Sequence, residues 1–172
     1  MIVYVWHPGF IQWFDGRARD PVRCALGQGG IAREKREGDG LTPAGVFPLR
    51  RVFYRPDRVT KPETRLPVQR LHPHDGWCDD AGHAAYNTII RRPFPARHER
   101  LWRRDSLYDV IVEVGYNDAP VVAGRGSAIF LHVARAGYRE TEGCVALALD
   151  DLLRLLKGCG PETHITIGER PR

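Results

Sequence analysis

A chain of 172 residues is long enough to bury one hydrophobic core and too short for two independent ones, so we predict a single domain over residues 1–172. The composition is 42% hydrophobic and 27% charged, with 18 Gly and 13 Pro, which suits a turn-rich, mainly β protein better than a disordered chain or a helical bundle. The formal net charge of +5 favours an anionic partner, but no nucleic-acid-binding motif accompanies the scattered arginines; we interpret them as solvated surface and predict a monomer without a nucleic-acid partner.

The N-terminal segment is apolar as far as Trp6 and then stops at His7-Pro8-Gly9. This run is far shorter than a signal peptide or a membrane span, so no leader is visible and no membrane-spanning segment is predicted. Cytoplasmic residence and export by a route that the sequence does not show both stay open. A Pro-Gly turn followed by the apolar run Phe10–Phe14 predicts an opening hairpin.

The next part of the chain alternates between loops and strands. Residues 27–40 are charged and Gly-rich, which is typical of a surface loop, and Gly45–Tyr54 shows the alternation of a strand. Pro48 indicates an edge or a bulge in that strand. Residues 55–104 are rich in Pro, Arg, His and Trp without sustained periodicity, and we expect a long excursion that covers the functional face of the sheet.

The C-terminal third carries the strongest secondary-structure signals. Residues 107–114 and 128–133 predict two strands that pair near the centre of the sheet. A leucine-rich run from 149 to 156, with two aspartates in its first turn, predicts the one main helix, which ends at Gly158. His164–Ile167 predicts a last short strand. The fold class is therefore mainly β with one main helix.

A histidine and a cysteine in this region form the strongest candidate for chemistry. His132 ends a predicted core strand, and Cys144 follows Gly143 shortly before the predicted helix. A helix N-terminus stabilises a thiolate, and a nearby imidazole can accept the thiol proton. Gly143 lets a substrate approach the backbone, and the N–H groups around Gly143 and Cys144 could form an oxyanion hole. The chain has no Cys-x-x-Cys pair, so at least one of its four cysteines is predicted to be a free thiol.

This segment resembles the signature of the YkuD family of L,D-transpeptidases. In that signature a strand-end His is followed, after a variable gap, by Ser or Thr, any residue, Gly-Cys and an aliphatic residue, which here are His132 and Thr141-Glu142-Gly143-Cys144-Val145. A Thr-Pro-x-Gly turn that the family also carries appears as Thr42-Pro43-Ala44-Gly45. The resemblance covers essentially the whole chain, is greatest to a short, single-domain subgroup, and implies a YkuD-like β-sandwich or mixed sheet.

The resemblance also implies an activity. Cys144 would attack a peptidoglycan stem peptide and form a thioester, His132 would act as base and then acid, and the carbonyl of Val133 would orient the imidazole ring. Neither a metal nor an organic cofactor is implied, and the implied location is the cell envelope or periplasm. Glu142 stands where many members have His. The residues expected to contact substrate are Thr141, Tyr138, Glu142, Trp77, Asp79 and Asn87.

Several alternatives stay open at this point. An amine of a second stem would make the enzyme a crosslinking transpeptidase, whereas water would make it an L,D-carboxypeptidase that acts on muropeptides. A non-catalytic glycan-binding module is a third possibility. A zinc site is a fourth, because the segment 72–83 is rich in possible ligands although it fits no common spacing. These ligands are His72, His74, Asp75, Cys78, Asp79, Asp80 and His83.

Overall fold

The computed structural model describes residues 1–16 and 19–171, and within them the chain is mainly β with one α-helix. The elements are β1 (Ile2–Trp6), β2 (Phe10–Phe14), β3 (Val22–Ala25), β4 (Ile31–Ala32), β5 (Thr42–Pro43), β6 (Gly45–Tyr54), β7 (Val68–Arg70), β8 (Asp75–Cys78), β9 (Ile89–Arg91), β10 (His98–Arg100), β11 (Val110–Val114), β12 (Phe130–Val133), β13 (Val145–Leu147), α1 (Leu149–Gly158) and β14 (His164–Ile167). The described part contains no helix that is both long and apolar enough to cross a membrane.

The main sheet has two halves that share β3 and β6. One half runs β3-β2-β1-β14-β6, and the other runs β3-β13-β12-β11-β6. Each half therefore begins at β3 and ends at β6. The long strand β6 makes this possible because its first part, Gly45–Pro48, pairs with β14 while Leu49 to Tyr54 face β11. The register shifts between Val112 and Val114, next to Pro48, which agrees with the predicted bulge. The fold is a mixed-sheet β-sandwich, as the resemblance implied.

The hydrophobic core lies between the two halves and is closed by α1. Alternate residues of each strand point inward, as Val3 and Val5 of β1 do, both fully buried. The helix buries Leu152, Leu155 and Leu156 on one stripe, and each such leucine contributes about 1.5–3 kcal/mol. The predicted helix, hairpin and last strand are therefore confirmed, with the helix two residues longer than expected.

The two strong strand signals of the C-terminal third do pair, as predicted. β11 and β12 are antiparallel, with Ile111 opposite His132. Both begin later than the pattern indicated, at Val110 and Phe130. A turn that joins Asp109 N–H to the carbonyl of Ser106 precedes β11, and Ala128, before β12, has a φ of +53°, which no strand residue adopts.

The excursion of residues 55–104 contains a small sheet of its own. β8 lies between β10 and β9, and β7 extends the main sheet next to β6. The sequence pattern did not indicate β8 because all four of its residues are buried, which removes the alternation that marks a half-buried strand. Asp79, Glu99 and Arg103 of the excursion line a cavity on the functional face.

One local expectation was incomplete and another was wrong. Residues 27–40 are mostly an exposed or half-buried loop, as expected, but Lys35 within it is only 7% exposed and packs against the loop that carries Cys144. Cys144 does not lie at the N-terminus of a helix. The strand β13 stands between Cys144 and α1, so the helix dipole does not act on the thiol at close range.

Candidate active site

The pairing of β12 with β13 brings His132 and Cys144 together. The two strands are parallel neighbours, with His132 opposite Ala146. Side chains two residues apart on an extended chain point to the same side, so Cys144 shares a face with Ala146 and therefore with His132. All three line one cavity of about 560 Å³. His132 and Cys144, twelve residues apart in the sequence, thus come close together across one strand pair.

The His132 ring is held in one orientation. Its Nδ1 lies 2.9 Å from the carbonyl oxygen of Val133, which makes Nδ1 the protonated nitrogen and leaves Nε2 free to accept a proton. The ring of Tyr108 packs edge-on against it at 5.4 Å between centroids. Burial lowers the pKa of His132 to about 4, partly opposed by the hydrogen bond to Val133. The imidazole is therefore neutral at pH 7 and competent as a base.

The Cys144 thiol is buried and protonated. It is 8% exposed and donates to the carbonyl of Ala128 at 3.2 Å. Burial raises the pKa of Cys144 to about 12, and the carboxylate of Glu99 acts in the same direction, whereas the Phe130 N–H and the charge of Lys35 lower this pKa. The resting pair is a neutral thiol and a neutral imidazole rather than a thiolate and an imidazolium. A reaction at this thiol would need a base to remove its proton, and the neutral imidazole of His132 lines the same cavity.

This electrostatic state predicts how thiol reactivity depends on pH. Because the pKa of Cys144 is raised, its thiolate fraction keeps growing with pH well beyond neutrality, so the rate of alkylation by iodoacetamide should rise about tenfold per pH unit from pH 6 to 9. Mass spectrometry of the Cys144 peptide measures this rate, with Cys144→Ala as background. A plateau below pH 8 would instead indicate a preformed thiolate–imidazolium pair.

Thr141 and Gly143 shape the loop that presents the thiol. The Thr141 hydroxyl donates to the Cys144 carbonyl at 2.6 Å and accepts the Gly143 N–H at 3.1 Å. Gly143 has a φ of +133°, and a Cβ there would lie 2.7 Å from the Leu41 carbonyl oxygen, so only glycine fits. The Gly143 N–H is already engaged by Thr141, and the N–H of Cys144 is the better candidate for an oxyanion donor.

The other residues expected to contact substrate fall into two groups. Thr141, Glu142 and Asp79 line the cavity. Trp77 and Asn87 are instead buried beneath it and hydrogen-bonded to each other, and Tyr138 lies outside it with Arg23 stacked on its ring. Asn87 Oδ1 also accepts the N–H of Ala128, the residue whose carbonyl holds the thiol.

Sequence reasoning missed several residues that line the same cavity. They come from residues 27–40, from the excursion and from the segments before β11 and β12, where no periodic pattern singles them out. These residues are Lys35, Glu37, Glu99, Arg103, Tyr108 and Ser127. Tyr108 donates to Glu99 at 2.6 Å, and burial raises the pKa of Glu99. The cavity thus carries both acidic and basic side chains around the thiol and the imidazole.

The possible zinc ligands of residues 72–83 do not converge. Asp75 is buried, accepts the His72 N–H and pairs with Arg91, while His83 Nδ1 accepts the N–H of Ala85. Within residues 1–16 and 19–171 there is no group of three or more His, Cys, Asp or Glu side chains placed to hold a metal ion. These side chains stabilise the excursion through local contacts.

A buried thiol and a backbone-oriented imidazole on one face of two paired strands are the parts of a cysteine-dependent acyl-transfer site. The model of the YkuD family, the L,D-transpeptidase catalytic domain, matches residues 9–167. The chain therefore belongs to the YkuD family. No curated protein and no solved structure matches the chain significantly.

Proposed function

We propose that this protein is a peptidoglycan L,D-transpeptidase that transfers an acyl group from one stem peptide, through a thioester on Cys144, to an amine of a second stem. The observation that carries this proposal is that His132, in β12, and Cys144, directly before the paired strand β13, line one cavity. Because Nδ1 of His132 is hydrogen-bonded to the Val133 carbonyl, Nε2 is the nitrogen available to accept a proton, as a general base requires. Membership of the YkuD family supplies the substrate class.

The chemistry divides into two halves. His132 Nε2 takes the thiol proton while the sulfur attacks the scissile carbonyl carbon, so that a C–S bond forms and an electron pair moves to the carbonyl oxygen. The tetrahedral intermediate collapses, the C–N bond breaks, and the imidazolium gives its proton to the leaving amine. The incoming amine then attacks the thioester carbon, His132 takes one of its protons, and the sulfur leaves and is reprotonated.

The charges of the cavity suit a stem peptide. Such a peptide carries both ammonium and carboxylate groups, and complementary charges orient it without a hydrophobic anchor. Asp79, Glu99 and Glu142 supply the acidic groups of the cavity, and Arg103, which also pairs with Glu99 at 3.9 Å, and Arg135 supply basic groups that act on His132. We assign ammonium contacts to the acidic side chains and carboxylate contacts to the arginines. The substrate places the proposed site of action at the cell wall.

The products formed from purified muropeptides test this proposal. Crosslinked dimers are expected with the wild-type protein and none with Cys144→Ala, whereas Cys24→Ala, which removes a buried thiol elsewhere in the core, should retain dimer formation. Mass spectrometry identifies the products. Shortened stems without dimers would replace the transpeptidase by an L,D-carboxypeptidase that uses water. Equal product from Cys144→Ala would exclude the thioester mechanism.

A further inference from the structure

Lys35 is a buried cation that the acyl-transfer mechanism described above does not use. It lies in the segment 27–40, and its side chain is 3% exposed. A buried ammonium is costly unless it is paired and hydrogen-bonded, so such a lysine is retained only where the fold holds it firmly.

The fold holds Lys35 through both its charge and its stem. Nζ donates to Asp39 Oδ1 at 2.7 Å and to the Arg36 carbonyl at 3.4 Å. The stem packs against Gly126, where an added Cβ would lie 2.9 Å from Cε. The Asp39 carboxylate is itself fixed, because it accepts the backbone N–H groups of Arg36 and Leu41. The hydrogen bonds of Asp39 keep its pKa low, so the ion pair persists at neutral pH.

The ammonium end of Lys35 lies beside the loop that presents the nucleophile. A Cβ added to Gly143 would lie 3.4 Å from Lys35 Nζ. An ammonium has three N–H donors, of which Asp39 and Arg36 take two, and Lys35 also lines the cavity that contains Cys144. Because residues 126 and 143 are glycines, there is room for the Lys35 side chain to reach the active site.

The charges around Cys144 show why a cation is needed there. Acyl transfer places negative charge first on the sulfur and then on the carbonyl oxygen. Burial opposes negative charge at Cys144 most strongly, and the carboxylates of Glu99 and Glu142 oppose it further, whereas Lys35 favours it. His132 becomes a cation only after it has taken the thiol proton, and the Tyr108 hydroxyl is directed to Glu99.

We propose that Lys35 is an electrostatic residue of the active site, whose fixed positive charge beside Gly143 stabilises the negative charge that develops on Cys144 Sγ and on the substrate oxygen. The part that concerns the substrate oxygen rests on the proposed transpeptidase function. The part that concerns the sulfur does not, because any reaction of the thiolate reports it. Asp39 sets the strength of this effect by partly offsetting the lysine charge.

Substitution of Lys35 tests the proposal in the full-length protein. Lys35→Met keeps the packed stem and removes the charge, so the rate of Cys144 alkylation by iodoacetamide at pH 8 should fall about tenfold while its dependence on pH keeps the same slope. Lys35→Arg keeps the charge and should retain most of the wild-type rate. With muropeptides, kcat should fall and KM should change little, since the charge acts on the reacting atoms. A folded Lys35→Met protein with the wild-type alkylation rate would overturn the proposal.

Asp39→Asn separates an electrostatic role from a structural one. It keeps one acceptor oxygen for the loop amides but leaves the lysine charge uncompensated, so alkylation of Cys144 should become faster, about threefold to tenfold. A purely structural ion pair predicts that both substitutions change the alkylation rate in the same direction, because both loosen the loop that buries Cys144, and that result would also overturn the proposal. Should Lys35→Met not fold, slower or unchanged alkylation of Asp39→Asn would overturn the proposal. Altered alkylation without any turnover of muropeptides would leave the role of Lys35 intact and remove the proposed function instead.

Discussion

His132→Ala is expected to lower the kcat of acyl transfer by about 10²–10⁴ while KM stays nearly unchanged. The reason lies in the resting state of the nucleophile. With a pKa of about 12, only about one Cys144 thiol in 10⁵ is ionised at pH 7, so the reaction depends on a base that removes the proton as the sulfur attacks. His132 is neutral at this pH because burial lowers its pKa to about 4. Steady-state kinetics with muropeptides between pH 6 and 9 measure the loss.

The chain offers a matched control for this substitution. His164 also lies in a strand, and its Nδ1 is hydrogen-bonded to a backbone carbonyl, that of Glu162, at 3.0 Å, but it is exposed and outside the cavity. His164→Ala should therefore leave kcat within about twofold of the wild-type value. Added imidazole should partly restore His132→Ala, because the truncation leaves space beside the thiol. A kcat for His132→Ala within threefold of wild type would mean that another group takes the proton.

The parts of the fold that could be predicted from the sequence are those in which a local pattern coincides with a local structure. Phe10–Phe14 and His164–Ile167 alternate between buried and less buried positions, and the leucines of α1 lie on one stripe. A strand such as β8, buried at every position, carries no such pattern. The three-residue strand β13 was missed for a similar reason, because Val145–Leu147 runs directly into the helix and its apolar residues fit either structure.

In the candidate active site, too, only the residues that share a local sequence pattern could be predicted. Cys144, His132 and Gly143 belong to one short segment, so the sequence could indicate them together, and β12 and β13 do place the two reactive side chains on one face. Lys35 could not be found in this way. Its burial depends on Gly126 and Gly143, which lie about a hundred residues further along the chain and which leave the space that the lysine side chain occupies. A charged, Gly-rich segment has the local composition of a solvated loop, and only tertiary packing makes it part of the site.

Glu99 and Tyr108 are two further residues of the site that could not be predicted from the sequence. Both are common residue types at unremarkable positions, yet Tyr108 contacts the ring of His132 and donates to Glu99, whose charge acts on Cys144. Their relation to the proposed catalytic pair arises because β10 of the excursion and the segment before β11 meet at the cavity. The excursion is thus part of the electrostatic environment of the thiol, which its sequence pattern alone does not indicate.

Asn87→Ala is expected to lower the free energy of unfolding by about 3–5 kcal/mol. Asn87 is 7% exposed and joins three segments. Its Oδ1 accepts the Trp77 indole N–H and the Ala128 N–H, both at 3.0 Å, and its Nδ2 donates to the carbonyls of Tyr116 and Asn117. Truncation leaves two donors and two acceptors without this partner. Only Trp77 among these residues is buried, whereas Tyr116, Asn117 and Ala128 are half-buried, so we take about 1 kcal/mol for each group, the low end of the range for orphaned groups. Urea denaturation followed by tryptophan fluorescence measures the change.

Two further variants separate the causes of this loss. Asn87 has a φ of +58°, which alanine adopts at a cost of about 1 kcal/mol and glycine adopts freely, so Asn87→Gly should be the more stable of the two by about that amount. Thr88→Ala removes an exposed hydroxyl from the neighbouring residue and should cost less than about 0.5–1 kcal/mol. Because the Ala128 carbonyl accepts a hydrogen bond from the Cys144 thiol, a loosened Ala128 should alter the alkylation rate of Cys144 in both Asn87 variants and not in Thr88→Ala. Full stability of Asn87→Ala would show that water replaces the lost hydrogen bonds and that Asn87 does not brace the active site.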